Sequence, residues 1–340
     1  MPYWIRIASR LLLAVLLLDL GASAVLAQDS PKVGKPHGVL VLPSVENGTP
    51  ISIDSFRGRK VLLIHFSPRN QKSCDALFEW LTATAEYRKN EKLVVLGIIQ
   101  SQHPDRAALF VQWKKPPITV LHDALNLSGV NRKPAVVAID EHGFVRSINP
   151  KLSKFEAFEK KFLRKKFKEG SMAGRSPQLE LPDPKVLKRR AAESRIASIE
   201  RDYADANFLG GEAAQLDEAM RAYSIVLQND ATDAFAYFRL GVALRKRYES
   251  GSGRPDDAAK ALECWQNALK LQPKNTIFRL RLAQFDGTAA ASYSGWVAKA
   301  REEIKARGET PVGLAREPSQ DRQGSETGDG KSTDNDEKGR

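Results

Sequence analysis

The sequence predicts an α/β sandwich followed by an all-α helical repeat domain, and three observations carry that prediction. Strand-like and helix-like segments alternate from Val39 to Ile148. A stretch with three prolines and two glycines then runs from Gly170 to Pro184. From Lys185 to Ala306 the strand signal is gone and the chain is full of Ala, Leu, Arg and Glu. Alternation closed by a hairpin and a helix gives a layered α/β domain, whereas helices without strands bury their apolar stripes on one another.

The elements follow in order. Val39 to Leu42 is a short β-type run, and Glu46 to Pro50 is dense in turn residues. Val61 to Phe66 (VLLIHF) is a continuous apolar strand of the kind buried in mid-sheet. Cys74 to Tyr87 places Leu77, Phe78, Leu81 and Ala85 at helical spacing, and Leu93 to Ile99 (LVVLGII) is a second buried strand. Asp105 to Trp113 reads as a helix started by Pro104 and stopped by Pro116 and Pro117. Ala135 to Ile139 is a third strand, turned by Asp140-Glu141-His142-Gly143 into Phe144 to Ile148. Phe155, Phe158, Phe162 and Phe167 then mark one face of a basic amphipathic helix.

The expected organisation is a signal peptide at 1–27, the α/β domain at 33–168, a linker at 169–184, helical repeats at 185–307 and a disordered tail at 308–340. Arg6 and Arg10 precede the apolar run Leu11 to Leu18, with Val25 and Ala27 at the −3 and −1 positions of a cleavage site before Gln28. That pattern predicts export to a periplasmic or extracellular space; an uncleaved N-terminal membrane anchor is the alternative. After Gly308 the chain is Gly, Ser, Asp, Lys and Gln, with nothing apolar beyond Leu314 and Ala315. Such a composition cannot offset the entropy of ordering.

Two cysteines, Cys74 and Cys264, exclude a disulfide-stapled scaffold, and no Cys/His spacing resembles a zinc site. No cofactor or metal is expected. His37, His103, His122 and His142 form no ligand pair. The net charge is +12, and Lys151 to Arg190 holds thirteen Lys/Arg against five Asp/Glu. A solvated helix face plus linker explains that belt; an anionic surface is the functional alternative. Nucleic acid is not expected, because no aromatic-interleaved motif accompanies the charge.

Three ordered motifs carry a resemblance over about Val33 to Lys168. Ile51 to Lys60 (ISIDSFRGRK) leads into the first central strand. Pro134 follows Val130-Asn131-Arg132-Lys133 just before the third. Asp140 to Gly143 makes the hairpin turn. This domain resembles the thioredoxin-like superfamily, in its exported thiol-disulfide reductase and peroxiredoxin-related branch. The resemblance implies a cis-proline at Pro134, beside Lys133, and a Cys-x-x-Cys at a helix start.

The second feature is missing. Phe66 is followed by Ser67-Pro68-Arg69-Asn70 and then Gln71-Lys72-Ser73-Cys74, so Gln71 stands at the attacking position and Cys74 at the resolving one. Dithiol exchange needs an exposed low-pKa thiolate and a second thiol to release the mixed disulfide. An amide does neither. The peroxidase pattern Pro-x-x-x-Thr-x-x-Cys fails as well, since Lys72 and Asp75 occupy its last two positions. Cys74 is either a small buried hydrophobe or, near a helix N-terminus, a lone reactive thiol with His65 as its tuning partner.

The second half resembles tetratricopeptide repeats. Leu240-Gly241, with Tyr237 and Leu244, fits a first helix, and Ala261, Trp265, Ala268-Leu269 and Pro273 fit a second, with an enlarged loop over Tyr248 to Arg254. Ala219, Tyr223 and Val226-Leu227 repeat the second-helix pattern after a helix through Ile196, Ile199 and Tyr203. Leu282-Ala283 and a last helix from Tyr293 to Ala306, with Trp296, Val297 and Ile304 inward, complete about three pairs. Cys264 is expected to be inert. The resemblances imply a protein-binding or scaffold module with a degenerate redox site, holding a protein or peptide partner through the repeats. The alternative is a monothiol thiol-disulfide oxidoreductase using Cys74.

Overall fold

The two longest apolar runs form the centre of a five-stranded sheet. The structure, a computed structural model, describes residues 30–90, 92–168, 178–194, 196–251, 253–286, 288, 290–317 and 319–320. The expectations for 1–27, for most of the linker and for the end of the tail fall outside the described residues.

A small hairpin of β1 (Val41–Pro43) and β2 (Pro50–Ser52) precedes the sheet. The sheet strands are β3 (Lys60–Phe66), β4 (Leu93–Ile99), β5 (Val120–His122), β6 (Ala135–Ile139) and β7 (Val145–Ile148). Their order is β5-β4-β3-β6-β7, with β3, β4 and β5 parallel and β6 antiparallel to both β3 and β7. This is the thioredoxin-like α/β fold. The strand β5, which the sequence reading passed over, is three residues long and extends the parallel edge.

Side chains alternate across β3, as strand geometry requires. Leu62, Ile64 and Phe66 face one cluster, with Leu77, Trp80 and Leu81 of α1 (Gln71–Ala83) and Leu109 and Phe110 of α3 (Pro104–Lys114). Val61 and Leu63 face the other, which runs on into the core of the helical region. A short helix α2 (Ala85–Lys89) follows α1. Between β6 and β7, Asp140 Oδ1 accepts from the amides of His142 and Phe144, each at 2.9 Å, and Gly143 takes φ +86°.

The closing segment is less regular than one amphipathic helix. A single α-turn α4 (Phe155–Phe158) passes into a π-turn over Glu159–Leu163, and residues 164–168 are irregular. The phenylalanine spacings widen along it, and the π-turn takes up part of that widening. Phe158 is buried against Trp80 and Phe162 stacks on Phe158, while Lys160, Lys161, Arg164, Lys165 and Lys166 are exposed.

The helical region contains α5 (Pro184–Ser194), α6 (Ala197–Gly210), α7 (Ala213–Asn229), α8 (Ala234–Glu249), α9 (Asp257–Leu271), α10 (Thr276–Phe285) and α11 (Ala290–Ala306). From α5 to α10 each helix packs on the next. A Cβ on Gly241 would stand 2.5 Å from Trp265 Nε1, so this glycine is what lets α8 and α9 approach. The connection between the two helices lies two residues further on than expected, at 250–256: α8 runs to Glu249, and Arg247 and the Arg254 amide both bind Asp257 at the start of α9.

Helix α11 departs from the expected pairing. It leaves the stack and lies on α3 of the sheet domain, where Trp296 stacks on Trp113 at 6.4 Å and Trp113 Nε1 donates to Glu303 Oε2 at 2.6 Å. Val297 and Ile304 do point inward, but into the core of the sheet domain. The chain after Gly308 also departs from the expected disorder, through residue 316. Thr310 O accepts from Gln112 Nε2 at 2.8 Å, the Ala315 amide donates to Asp105 Oδ2 at 2.7 Å, and Val312 and Leu314 pack against the same core. Those two apolar side chains and the backbone bonds give this stretch an anchorage that its polar composition conceals. Among the described residues no helix is long and apolar enough to cross a membrane.

Candidate functional site

Strand β3 delivers Phe66 to the sheet end, and the next eight residues fold into a closed corner. Asn70 caps α1, its Oδ1 accepting from the Ser73 amide at 3.2 Å. Ser73 Oγ accepts from the Ser67 amide at 3.0 Å, and Cys74 Sγ donates to Ser67 O at 3.4 Å. Both backbone groups of Ser67 are therefore engaged by the first turn of the helix. Cys74 is 4% exposed, and burial pushes its thiol up to about 11, against the opposing pull of Lys114. Burial raises Cys264 as well, to about 12. Both cysteines are free thiols.

Gln71 begins α1 and is exposed, its Nε2 donating to Asp75 Oδ1 at 2.6 Å. The Lys133–Pro134 peptide bond is cis, and Pro134 is exposed. Lys133 Nζ donates to Gln100 O at 2.9 Å; burial, with Arg69 and Arg281 nearby, holds its ammonium well below the usual lysine range. Helix α10 sits beside this corner. Arg69 Nη2 donates to Leu280 O at 3.5 Å, and the Thr276 amide donates to Asn131 O at 2.8 Å.

His65 and Cys74 are not brought together. Alternation along β3 turns His65 to the face opposite Phe66, whereas Cys74 packs with Phe66. His65 is fully buried, its Nδ1 lies 3.5 Å from Ser128 Oγ, and its Nε2 has no hydrogen-bond partner among the described residues. Burial first, then Lys133 and His37, lower its pKa to about 3, so the imidazole is neutral at physiological pH. It tunes no thiol.

The sequence reading also missed a buried polar cluster behind the corner. Gln100 Nε2 donates to Asn126 Oδ1 and, at 3.2 Å, to Ser128 Oγ; Ser128 Oγ donates to Asp123 Oδ2 at 2.7 Å; Asp123 Oδ1 accepts from the Leu127 amide at 2.7 Å. The only trace in the sequence is the polar residues that directly follow the apolar runs of β4 and β5. No group of three or more His, Cys, Asp or Glu suited to a metal occurs among the described residues.

No protein-family profile and no curated protein matches the chain. Among solved structures, the C-terminal domain of a protein described as a thiol-disulfide oxidoreductase from Bacteroides thetaiotaomicron is 16% identical, with TM-score 0.36 over 40% of this chain and 98% of that one. A thiol-disulfide oxidoreductase from Bacteroides fragilis is 17% identical, with TM-score 0.34 over 37% and 98%. The exposed lipoprotein thioredoxin of Streptococcus pneumoniae is 19% identical, with TM-score 0.32 over 36% and 96%.

Proposed function

We propose that this protein is an exported binding or scaffold module whose thioredoxin-like domain has lost dithiol chemistry. The observation that carries the reading is the state of the lone sulfur: Cys74 is buried, bonded to Ser67 O and raised to about 11, while the exposed position ahead of it is an amide. A thiol so raised is almost entirely protonated at neutral pH, and the thiolate is the nucleophile. The helical region, read as tetratricopeptide-like on Gly241 against Trp265, offers a protein or peptide partner an open trough over α7, α8 and α9 of about 690 Å³. Export rests on the N-terminal sequence pattern.

The test is the pH dependence of alkylation at Cys74 in the folded chain, with Cys264→Ser to isolate the signal. The scaffold reading expects protection up to the pH or denaturant concentration that unfolds the protein. Rapid labelling with a thiolate pKa below that of free cysteine would replace it with the monothiol oxidoreductase.

A further inference from the structure

A second hollow lies between the domains, away from Cys74. It has a volume of about 390 Å³, within the range of small-molecule pockets and at a domain boundary, where such pockets concentrate. Its walls are apolar: Leu42 of β1, Leu125 and Leu127 after β5, and Phe208 and Leu209 at the end of α6. Lys246 of α8 also lines it, with Nζ 4.6 Å from the centroid of the Phe208 ring.

The charges around that ammonium are uneven. Glu249, one helical turn on, accepts from His103 Nε2 at 2.9 Å and from Arg245 Nε at 2.6 Å. Asp123 is engaged by Leu127 and Ser128. His122 Nε2 lies 3.0 Å from Ser101 O, and burial keeps this imidazole neutral down to about 4. Lys246 forms no ion pair among the described residues, and burial lowers its pKa. A half-buried cation over an aromatic ring, at the edge of an apolar hollow whose carboxylates are occupied, is a site that still lacks an anion.

We propose that this interdomain cavity binds a small amphipathic monoanion, a carboxylate on an apolar chain, with the carboxylate on Lys246 and the chain between Leu125, Leu127, Phe208 and Leu209. A neutral ligand would leave the ammonium unpaired, and a cationic one would be repelled. A dianion would need a second free cation, which the wall does not supply among the described residues. The proposal is independent of the scaffold reading and concerns none of the same residues.

The test is calorimetric titration of the full chain with decanoate, decanol and decyltrimethylammonium, below their micellar ranges. Decanoate is expected to saturate at one per chain and to bind more tightly than the other two. Lys246→Met, which keeps the aliphatic stem, should weaken decanoate at least about tenfold, the loss of one charge-assisted contact. Lys246→Arg should retain binding, and Leu209→Trp, which fills the hollow, should remove it. Circular dichroism on each variant separates lost binding from lost fold; should Leu209→Trp not fold, the Lys246 pair decides. Absence of saturation, equal affinity for all three ligands, or a Lys246→Met variant that binds like the parent would each overturn the proposal.

Discussion

At the carboxyl end of β3 the chain places Ser67, Cys74 and the cis-proline loop. At the carboxyl ends of β4 and β5, a few residues away, it places His103 and the loop from His122 to Leu127. Ligands of α/β sheets bind at such strand ends, so both regions are candidates by position. They differ in what their polar groups do. In the first, Ser73 and Cys74 bind Ser67, Gln100 holds Lys133, and the sulfur is buried. In the second, the walls are apolar, the carboxylates are engaged and one ammonium lacks a counter-charge among the described residues. The first strand end is thus closed by the protein's own hydrogen bonds, and the second, which the helical region walls in, is the one left open.

The largest expected effect comes from breaking the junction that creates the second region. Arg239 is 0% exposed; its Nε donates to Leu125 O at 3.2 Å and its Nη1 to Asp205 Oδ2 at 2.9 Å, joining α8 to both the sheet domain and α6. Arg239→Ala would leave the buried Asp205 carboxylate with its hydrogen bond from Tyr223 but without this cation, and removing one partner of a buried pair costs about 3–5 kcal/mol. Urea unfolding should show that loss, while Cys74 stays protected in the fraction that remains folded. A loss below about 1 kcal/mol would mean that Arg239 contributes little to the junction.

How much of this was legible follows from what each signal specifies. The runs VLLIHF, LVVLGII and AVVAI name buried strands outright, because few other structures bury every residue in succession. Val120 to His122 does not, being three residues beside a double proline. The stripe of Trp296, Val297 and Ile304 says that a face is buried but not against what, so the docking of α11 on α3 rather than on α10 was invisible. The alternation of β3 did contain the separation of His65 from Cys74. It was obscured because nearness in the chain suggested a pairing that the pleat forbids. The interdomain cavity had no local signature, since its walls come from five separate stretches.

A smaller effect sharpens the account of the closed corner. The folded pKa of His65, about 3, lies below its ordinary 6.5, so the unfolded chain takes up the proton first as pH falls. The stability this site contributes is complete above about pH 6.5 and is lost progressively as pH drops towards the folded value. His65→Asn removes the titration. Between pH 6.5 and 4.5 the variant's stability should fall less steeply than the parent's, by up to about 1.4 kcal/mol per pH unit. Urea midpoints across that window measure the difference, in which the similar contribution of His122 cancels. Parallel slopes would mean that the imidazole is not held neutral behind the corner.

The smallest effect on stability, and the most direct comparison of the two regions, is Gln71→Cys. Gln71 is exposed at the first position of α1, so the substitution removes little beyond its bond to Asp75. A thiol there gains the helix N-terminus, which favours a thiolate, and stands at the spacing of a Cys-x-x-Cys with Cys74. The introduced thiol is expected to have a pKa below that of free cysteine, read from its alkylation rate against pH in a Cys74→Ser, Cys264→Ser background. With Cys74 restored, a reversible disulfide should form under mild oxidation. Both outcomes together would mean that one sulfur is all the corner lacks for dithiol chemistry. A slow thiol and no disulfide would mean that the hydrogen bonds linking Ser67 with Ser73 and Cys74 have closed the corner beyond repair by a single residue. The open cavity would then be the one strand end of the two still able to take a ligand.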